Sequence, residues 1–263
     1  MKNIGTVVRG IKTPVIKENC DLSEIVVNSL LNASKEGNFE FNDRDVVAVT
    51  EAVVGISEGN FATLDDIVFD IKRKLNNSKH IGVVFPIISR NRFAVLLSAI
   101  ARSTDKVTVM LSYPKDEVGN SILYESDMEK YNINPYSHLI TEDEYMEKFH
   151  HFKHEFTGVN YVDIYKDIIE KENCSANIIL SNNVLDILKY TNDVIVSDIH
   201  TREITKKKLL EANANVISLT EILNEPVNGS GYNPLYGLLG SNRATDERVK
   251  LFPRTGDVLV KNI

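Results

Sequence analysis

Asp198, His200 and Arg202 follow the apolar run Val194–Val196 at alternate positions. A strand continuing past Ser197 would present all three on one face at its tip. An Asp and a His two residues apart can bind a metal or act as acid and base, including in phosphate-ester hydrolysis, and the neighbouring Arg suits a phosphate or carboxylate. Phe85–Phe93 repeats the layout: Ser89 or Asn91 can cap the next helix, while Arg90 and Arg92 add positive charge around its free amides. In Arg9-Gly10-Ile11-Lys12-Thr13-Pro14 a glycine lies beside two cations and a threonine. That set suits either a backbone approach to phosphate or a charged surface turn. Glu51 and Glu58 bracket the end of the valine run Asp45–Thr50, where α/β folds place ligands, and carboxylates there favour Mg²⁺ or Mn²⁺. The plainer reading is a solvated Glu51 and a turn opening at Glu58. Asn228, Gly229, Ser230 and Gly231 begin the longest glycine-rich stretch, which continues through Gly237 and Gly240. The stretch is either a loop that lets backbone approach a ligand or an ordered crossing loop. It has no Gly-Lys-Ser/Thr and is not a dinucleotide fingerprint. His150, His151 and His154 lack an acidic or Cys partner at zinc-ligand spacing and read as loop residues.

These residues need a scaffold. Asp21 caps a helix to Ala33 with Glu24 three residues on, and Asp45–Thr50 reads as a buried strand. Thr63–Leu75 is an amphipathic helix with Leu64, Ile67, Val68, Ile71 and Leu75 inward. From residue 80 strands and helices alternate: strands at 80–85, 107–112, 177–180, 193–197 and 215–219, with helices at 91–101, 141–149, 159–172, 184–190 and 203–211. The alternation predicts an α/β layered fold with a mixed sheet, mainly parallel in the second half; the less regular first half has room for antiparallel strands. Residues 112–135 form a soft boundary, giving either parts 1–112 and 113–263 or one continuous domain. The terminal Asp257–Ile263 reads as a strand tucked into the sheet or as a point where a longer chain was cut.

The 263 residues are 43% hydrophobic and 25% charged, which excludes disordered, collagenous and disulfide-scaffold classes. A net charge of −7 argues against nucleic-acid or anionic-membrane binding by a basic surface. Cys20 and Cys174 read as reduced thiols, no run of apolar residues is long enough to span a bilayer, and the expected address is the cytoplasm.

Two segments, TVVRGIKTPVIKENCDL at residues 6–22 and DRDVVAVTEAVVGISEGN at residues 43–60, resemble the N-terminal part of the deazaflavin coenzyme F-420 gamma-glutamyl ligase family. The whole chain is similar to a divergent bacterial, largely clostridial, branch of it. The resemblance implies GTP-dependent amide formation. A small carboxylate substrate becomes an acyl phosphate, the glutamate amine attacks it, Mn²⁺ or Mg²⁺ sits on the phosphates, and the protein is a homodimer. It places Arg9–Pro14 on the nucleotide, aligns Asn91 with an Asn of an Asp-x-Ser-Asn motif, and sets Asp198 against a metal-binding Asp. The family's two lysines fall at Ala52 and Ile56, and its motif Asp at Ile88. These departures leave a catalytically silent binding or assembly module as the alternative.

Overall fold

The computed structural model describes residues 5–89 and 92–263. In chain order the helices and strands are α1 (Leu22–Gly37), α2 (Glu51–Ser57), β1 (Phe61–Thr63), α3 (Leu64–Lys74), β2 (His80–Val84), α4 (Phe93–Arg102), β3 (Lys106–Leu111), α5 (Glu125–Lys130), α6 (Glu142–Lys148), α7 (Tyr161–Lys171), β4 (Ser175–Leu180), β5 (Asp193–Val196), α8 (Arg202–Glu211), β6 (Asn215–Ser218), β7 (Asn242–Thr245), β8 (Arg248–Lys250) and α9 (Gly256–Asn262), with a 3₁₀ helix at Val184–Lys189. The chain forms two compact units, Met1–Phe61 with Phe252–Ile263, and Ala62–Leu251.

In the first unit α1 begins where its capping chemistry says: Asp21 accepts a hydrogen bond from the Glu24 amide at 2.9 Å. Leu22, Val26, Val54 and Leu259 make a small apolar core. The expected strand at Asp45–Thr50 is absent, Val46 being 89% exposed, and Glu51 opens α2 instead of extending a strand. Valines favour strands because they pack on a pleated, half-buried surface. Among the described residues this run pairs with no other strand, so that advantage is lost. The terminal residues are likewise a helix, α9, not a strand. Both carboxylate oxygens of Glu58 accept from the Arg254 amide, and Oε1 also accepts from the Thr255 amide and hydroxyl at the start of α9.

The second unit carries a five-stranded parallel sheet in the order β4-β3-β2-β5-β6. Its strands alternate sides with period two. Val83, Val109, Ile178 and Ile195 meet Ile67, Ile71, Leu97 and Ile169 of α3, α4 and α7. Val84, Met110, Ile179, Val194 and Val196 meet Val184 and Ile187 of the 3₁₀ helix and Leu209 of α8. Both faces are covered, as all-parallel sheets require. Thr63 and Asp66 close a capping box that starts α3. A second sheet, β1-β8-β7, contains the antiparallel pair β7–β8. The less regular first half contributes β1 to this sheet beside the late strands β7 and β8, and α5 interrupts a stretch whose sequence reads as irregular.

Candidate functional site

From β2 the chain builds outward to β3 and β4, then returns to add β5 and β6 on the other side. The order reverses between β2 and β5, and open α/β sheets place ligands outside the carboxyl ends of the strands at such a point. Two of the segments singled out by sequence, Phe85–Phe93 and Ser197–Arg202, leave these adjacent strands. Arg90 and Asn91 lie outside the described residues. Ser89 Oγ accepts from the Arg92 amide at 3.2 Å, so Ser89 supports the turn into α4.

The segment after β5 departs from the alternating strand. β5 ends at Val196, and Ser197 and Asp198 turn inward, each 2% exposed, while His200 lies exposed and Arg202 opens α8. Asp198 Oδ2 accepts from the hydroxyls of Thr201, at 2.5 Å, and Thr205, at 2.8 Å. Asp198 Oδ1, Ser197 Oγ and Arg202 Nε are buried with no hydrogen-bond partner among the described residues. Nη1 of Arg202 donates to the Ile199 carbonyl, and its Nε has only an ion-pair contact with Glu203 at 3.5 Å. Burial raises the Asp198 carboxyl above its ordinary range, the charge of Glu117 adds to the rise, and the threonine hydrogen bonds oppose it. A carboxyl, a hydroxyl and a guanidinium N–H thus stand unsatisfied at one strand end. Such groups can hold an anion beside a group that donates hydrogen bonds.

The loop after β3 completes this edge, and the sequence gives no sign of it. Asp116 Oδ2 accepts from the Ile88 amide at 2.9 Å, and its Oδ1 from Val118 and Asn120 at 3.0 and 2.8 Å. Glu117 next to it accepts from the amides of Ile199 and His200, the latter at 3.0 Å. Residues 116 and 199 are too far apart in sequence for spacing to relate them, and residues 112–135 lack periodicity.

The remaining candidates sit elsewhere. Arg9, Gly10, Lys12 and Thr13 line a groove of about 1010 Å³ in the first unit, across from Glu24, Asn28, Asn32 and Glu36, which recur every fourth residue along α1. The Arg9 guanidinium stacks 4.6 Å over Phe39. Glu51 is exposed in the first turn of α2, and Glu58 is occupied in holding α9. Among the described residues no three His, Cys, Asp or Glu side chains group as metal ligands. Asn228 and Gly229 form a left-handed turn, with the Ser230 amide donating to Val227 O at 2.8 Å and Ser230 Oγ accepting from Val227 N at 3.2 Å. His150 and His151 pair with Asp163 and Asp127, and His154 contacts Thr157, so the histidines are engaged as loop residues. Both cysteines are free, and burial pushes the Cys174 thiol up to about 11. Ala52 and Ile56 stand one helical turn apart on α2, and Ile88 is buried in the main core.

A family model described as F420-0:Gamma-glutamyl ligase matches residues 10–263. No curated protein and no solved structure matches the chain.

Proposed function

The chain belongs to the F420-0:gamma-glutamyl ligase family, and on that premise we propose that it is a GTP- and divalent-metal-dependent ligase joining glutamate to a small carboxylate substrate. The carboxylate oxygen takes the γ-phosphoryl group of GTP, giving an acyl phosphate and GDP. The glutamate nitrogen then attacks the acyl carbon, phosphate leaves, and the ammonium proton passes to a base. The observation that carries the reading is the set of unsatisfied groups at the β5 end: Asp198 Oδ1, Ser197 Oγ and Arg202 Nε. Arg202 would neutralise phosphoryl or carboxylate charge. Asp198, with its carboxyl raised, would orient the glutamate amine and accept its proton, and exposed His200 would relay that proton to solvent. Each unit has its own proposed phosphate-contacting segments: Arg9, Gly10, Lys12 and Thr13 in the first, and Arg90 and Asn91 with the turn Asn228–Gly231 in the second.

The donor set fits a cation carried on nucleotide phosphates, because Mg²⁺ bound in this way needs only one or two protein carboxylates. Within the second unit Asp198 Oδ1 has no partner among the described residues and could serve as one; in the first unit, taken by itself, Glu51 is exposed and Glu58 is largely spent on α9. Mn²⁺ or Mg²⁺ would supply charge neutralisation on the phosphates.

A cytoplasmic homodimer completes the reading, supported by the free thiols and by the exposed valines Val8, Val15 and Val46 of the first unit. Among the described residues no helix is long and apolar enough to cross a membrane. The silent-module reading is favoured by one observation: Ala52, Ile56 and Ile88 offer neither charge nor metal ligand where the family has lysines and an aspartate. Calorimetric titration of GTP with and without Mn²⁺, followed by phosphate release with glutamate and candidate carboxylates, separates the two. The ligase reading expects heat, and release that depends on both acceptors and is lost in Asp198→Ala. Absence of heat, unaltered by Glu51→Ala or Asp198→Ala, favours the silent module.

A further inference from the structure

The amides of Ile199 and His200 are consecutive N–H groups at the switch point, and both are bound to one carboxylate, that of Glu117. Successive backbone amides converging on one anion make a nest, the backbone device that cradles phosphates. Here the anion is a side chain of the same chain, reaching from an exposed turn. Asp116 fixes that turn through the amides of Val118 and Asn120 and ties it to Ile88 after β2. The Glu117 charge lies close enough to Asp198 to disfavour its ionisation. Ser197 Oγ and Asp198 Oδ1, both buried and without partners among the described residues, sit beside the nest. A purely structural latch gives no reason for bringing a second carboxylate to a buried one, nor for leaving these groups unsatisfied.

We propose that the Ile199 and His200 amides form an oxyanion site for a phosphoryl or carboxylate group of the ligand, and that Glu117 occupies this site in the free protein until the ligand displaces it. When the ligand's oxyanion takes the two amides, Glu117 swings toward solvent and the ligand's charge stands where the Glu117 carboxylate stood. Glu117 is a gate and takes no part in bond making. The inference deepens the ligase reading by naming the element that regulates access to the same site.

The test follows binding without turnover. The ¹⁵N–¹H signals of Ile199 and His200 are recorded while inorganic phosphate, and separately acetate, is titrated into the wild-type chain and into Glu117→Gln and Glu117→Ala. Glu125→Gln, at the exposed first residue of α5, where Glu125 pairs with Lys115, controls for the loss of one negative charge. Removing an internal competitor raises apparent affinity by the reciprocal of the fraction of time the site stood open, so for a site open a tenth of the time or less both Glu117 variants bind about tenfold tighter or more. The largest shifts fall on residues 199 and 200, and Glu125→Gln matches the wild type. Tightening for phosphate alone identifies the ligand group as phosphoryl, tightening for acetate alone identifies it as carboxylate, and either supports the gate. Unchanged affinity in both variants, tightening equalled by Glu125→Gln, or shifts away from residues 199 and 200 overturns it. Thermal midpoints of both variants separate a folding defect from a binding effect, and Glu117→Gln retains an acceptor where Glu117→Ala leaves none. Calorimetric heat with GTP while these amides stay unmoved sinks the gate and leaves the ligase reading standing. An opened anion site with no acceptor-dependent phosphate release does the reverse.

Discussion

Gly237 is a glycine that packing makes indispensable. Its φ of +48° is left-handed, and a Cβ there would lie 2.6 Å from Thr220 O and 2.7 Å from Leu219 O, and closer still to Ile222 O. These are backbone atoms of the turn after β6, which Leu238 N holds through Leu219 O. Gly237→Ala therefore costs roughly 3 kcal/mol, from backbone strain and steric overlap together. Gly229→Ala, at φ +79° in open space, costs only about 1–2 kcal/mol. Urea unfolding midpoints of the two variants check the contrast, and equal losses would refute it. Asp70 is a second residue of this kind. Fully buried, it accepts from Leu223 N at 2.7 Å and pairs with Arg73 and Lys74. Truncating it leaves the buried Leu223 amide without its acceptor and takes one partner from Arg73 and from Lys74, which keep Glu225 and Asn224, so Asp70→Ala is expected to lose about 2–3 kcal/mol by the same assay.

Among the elements, β2, β3 and β4 share a chain of polar side chains, His80, Thr108 and Asn177. His80 Nε2 is 2.9 Å from Thr108 Oγ1, which accepts from Asn177 Nδ2 at 3.2 Å, so the Thr108 hydroxyl is left to donate to a neutral imidazole. Burial, assisted by Lys106, lowers the His80 pKa. The unfolded chain then binds a proton more readily than the folded one, and stability declines as pH falls below the ordinary histidine value of about 6.5. Urea midpoints at neutral and mildly acidic pH should fall in the wild type and fall less in His80→Gln; parallel declines would exclude His80 as the cause. Elements with local signals were legible in the sequence: Asp21 and Glu24 start α1, Thr63 and Asp66 start α3, and Thr141 starts α6. The valine run was misleading because strand preference depends on partners that local pattern does not reveal. The short β7 and β8 and α5 carry too few residues for a period to register. The site was half legible for the same reason: the residues after β2 and β5 are marked by strand ends, whereas Asp116 and Glu117 matter only through contacts that the strand order creates.

At the scale of the molecule the two units differ in what holds them. The second unit buries both faces of a parallel sheet under large apolar clusters, while the first relies on Leu22, Val26, Val54 and Leu259. Burial is the main favourable term in folding, and a small core supplies little of it. The first unit is also discontinuous: α9 returns from the far end of the chain to cover α1, and its start is fixed by Glu58. Local opening should therefore occur in two tiers. In hydrogen exchange, α1, α2 and α9 are expected to open together and at lower free energy than β2, β3 and β5. Glu58→Ala removes the anchor of α9 and should speed exchange throughout the first unit while β2, β3 and β5 keep the wild-type rate. The contrast is measurable peptide by peptide: uniform protection across both units would show that the small core is no weaker than the sheet, and acceleration confined to residues 252–263 would show that α9 frays alone without carrying α1.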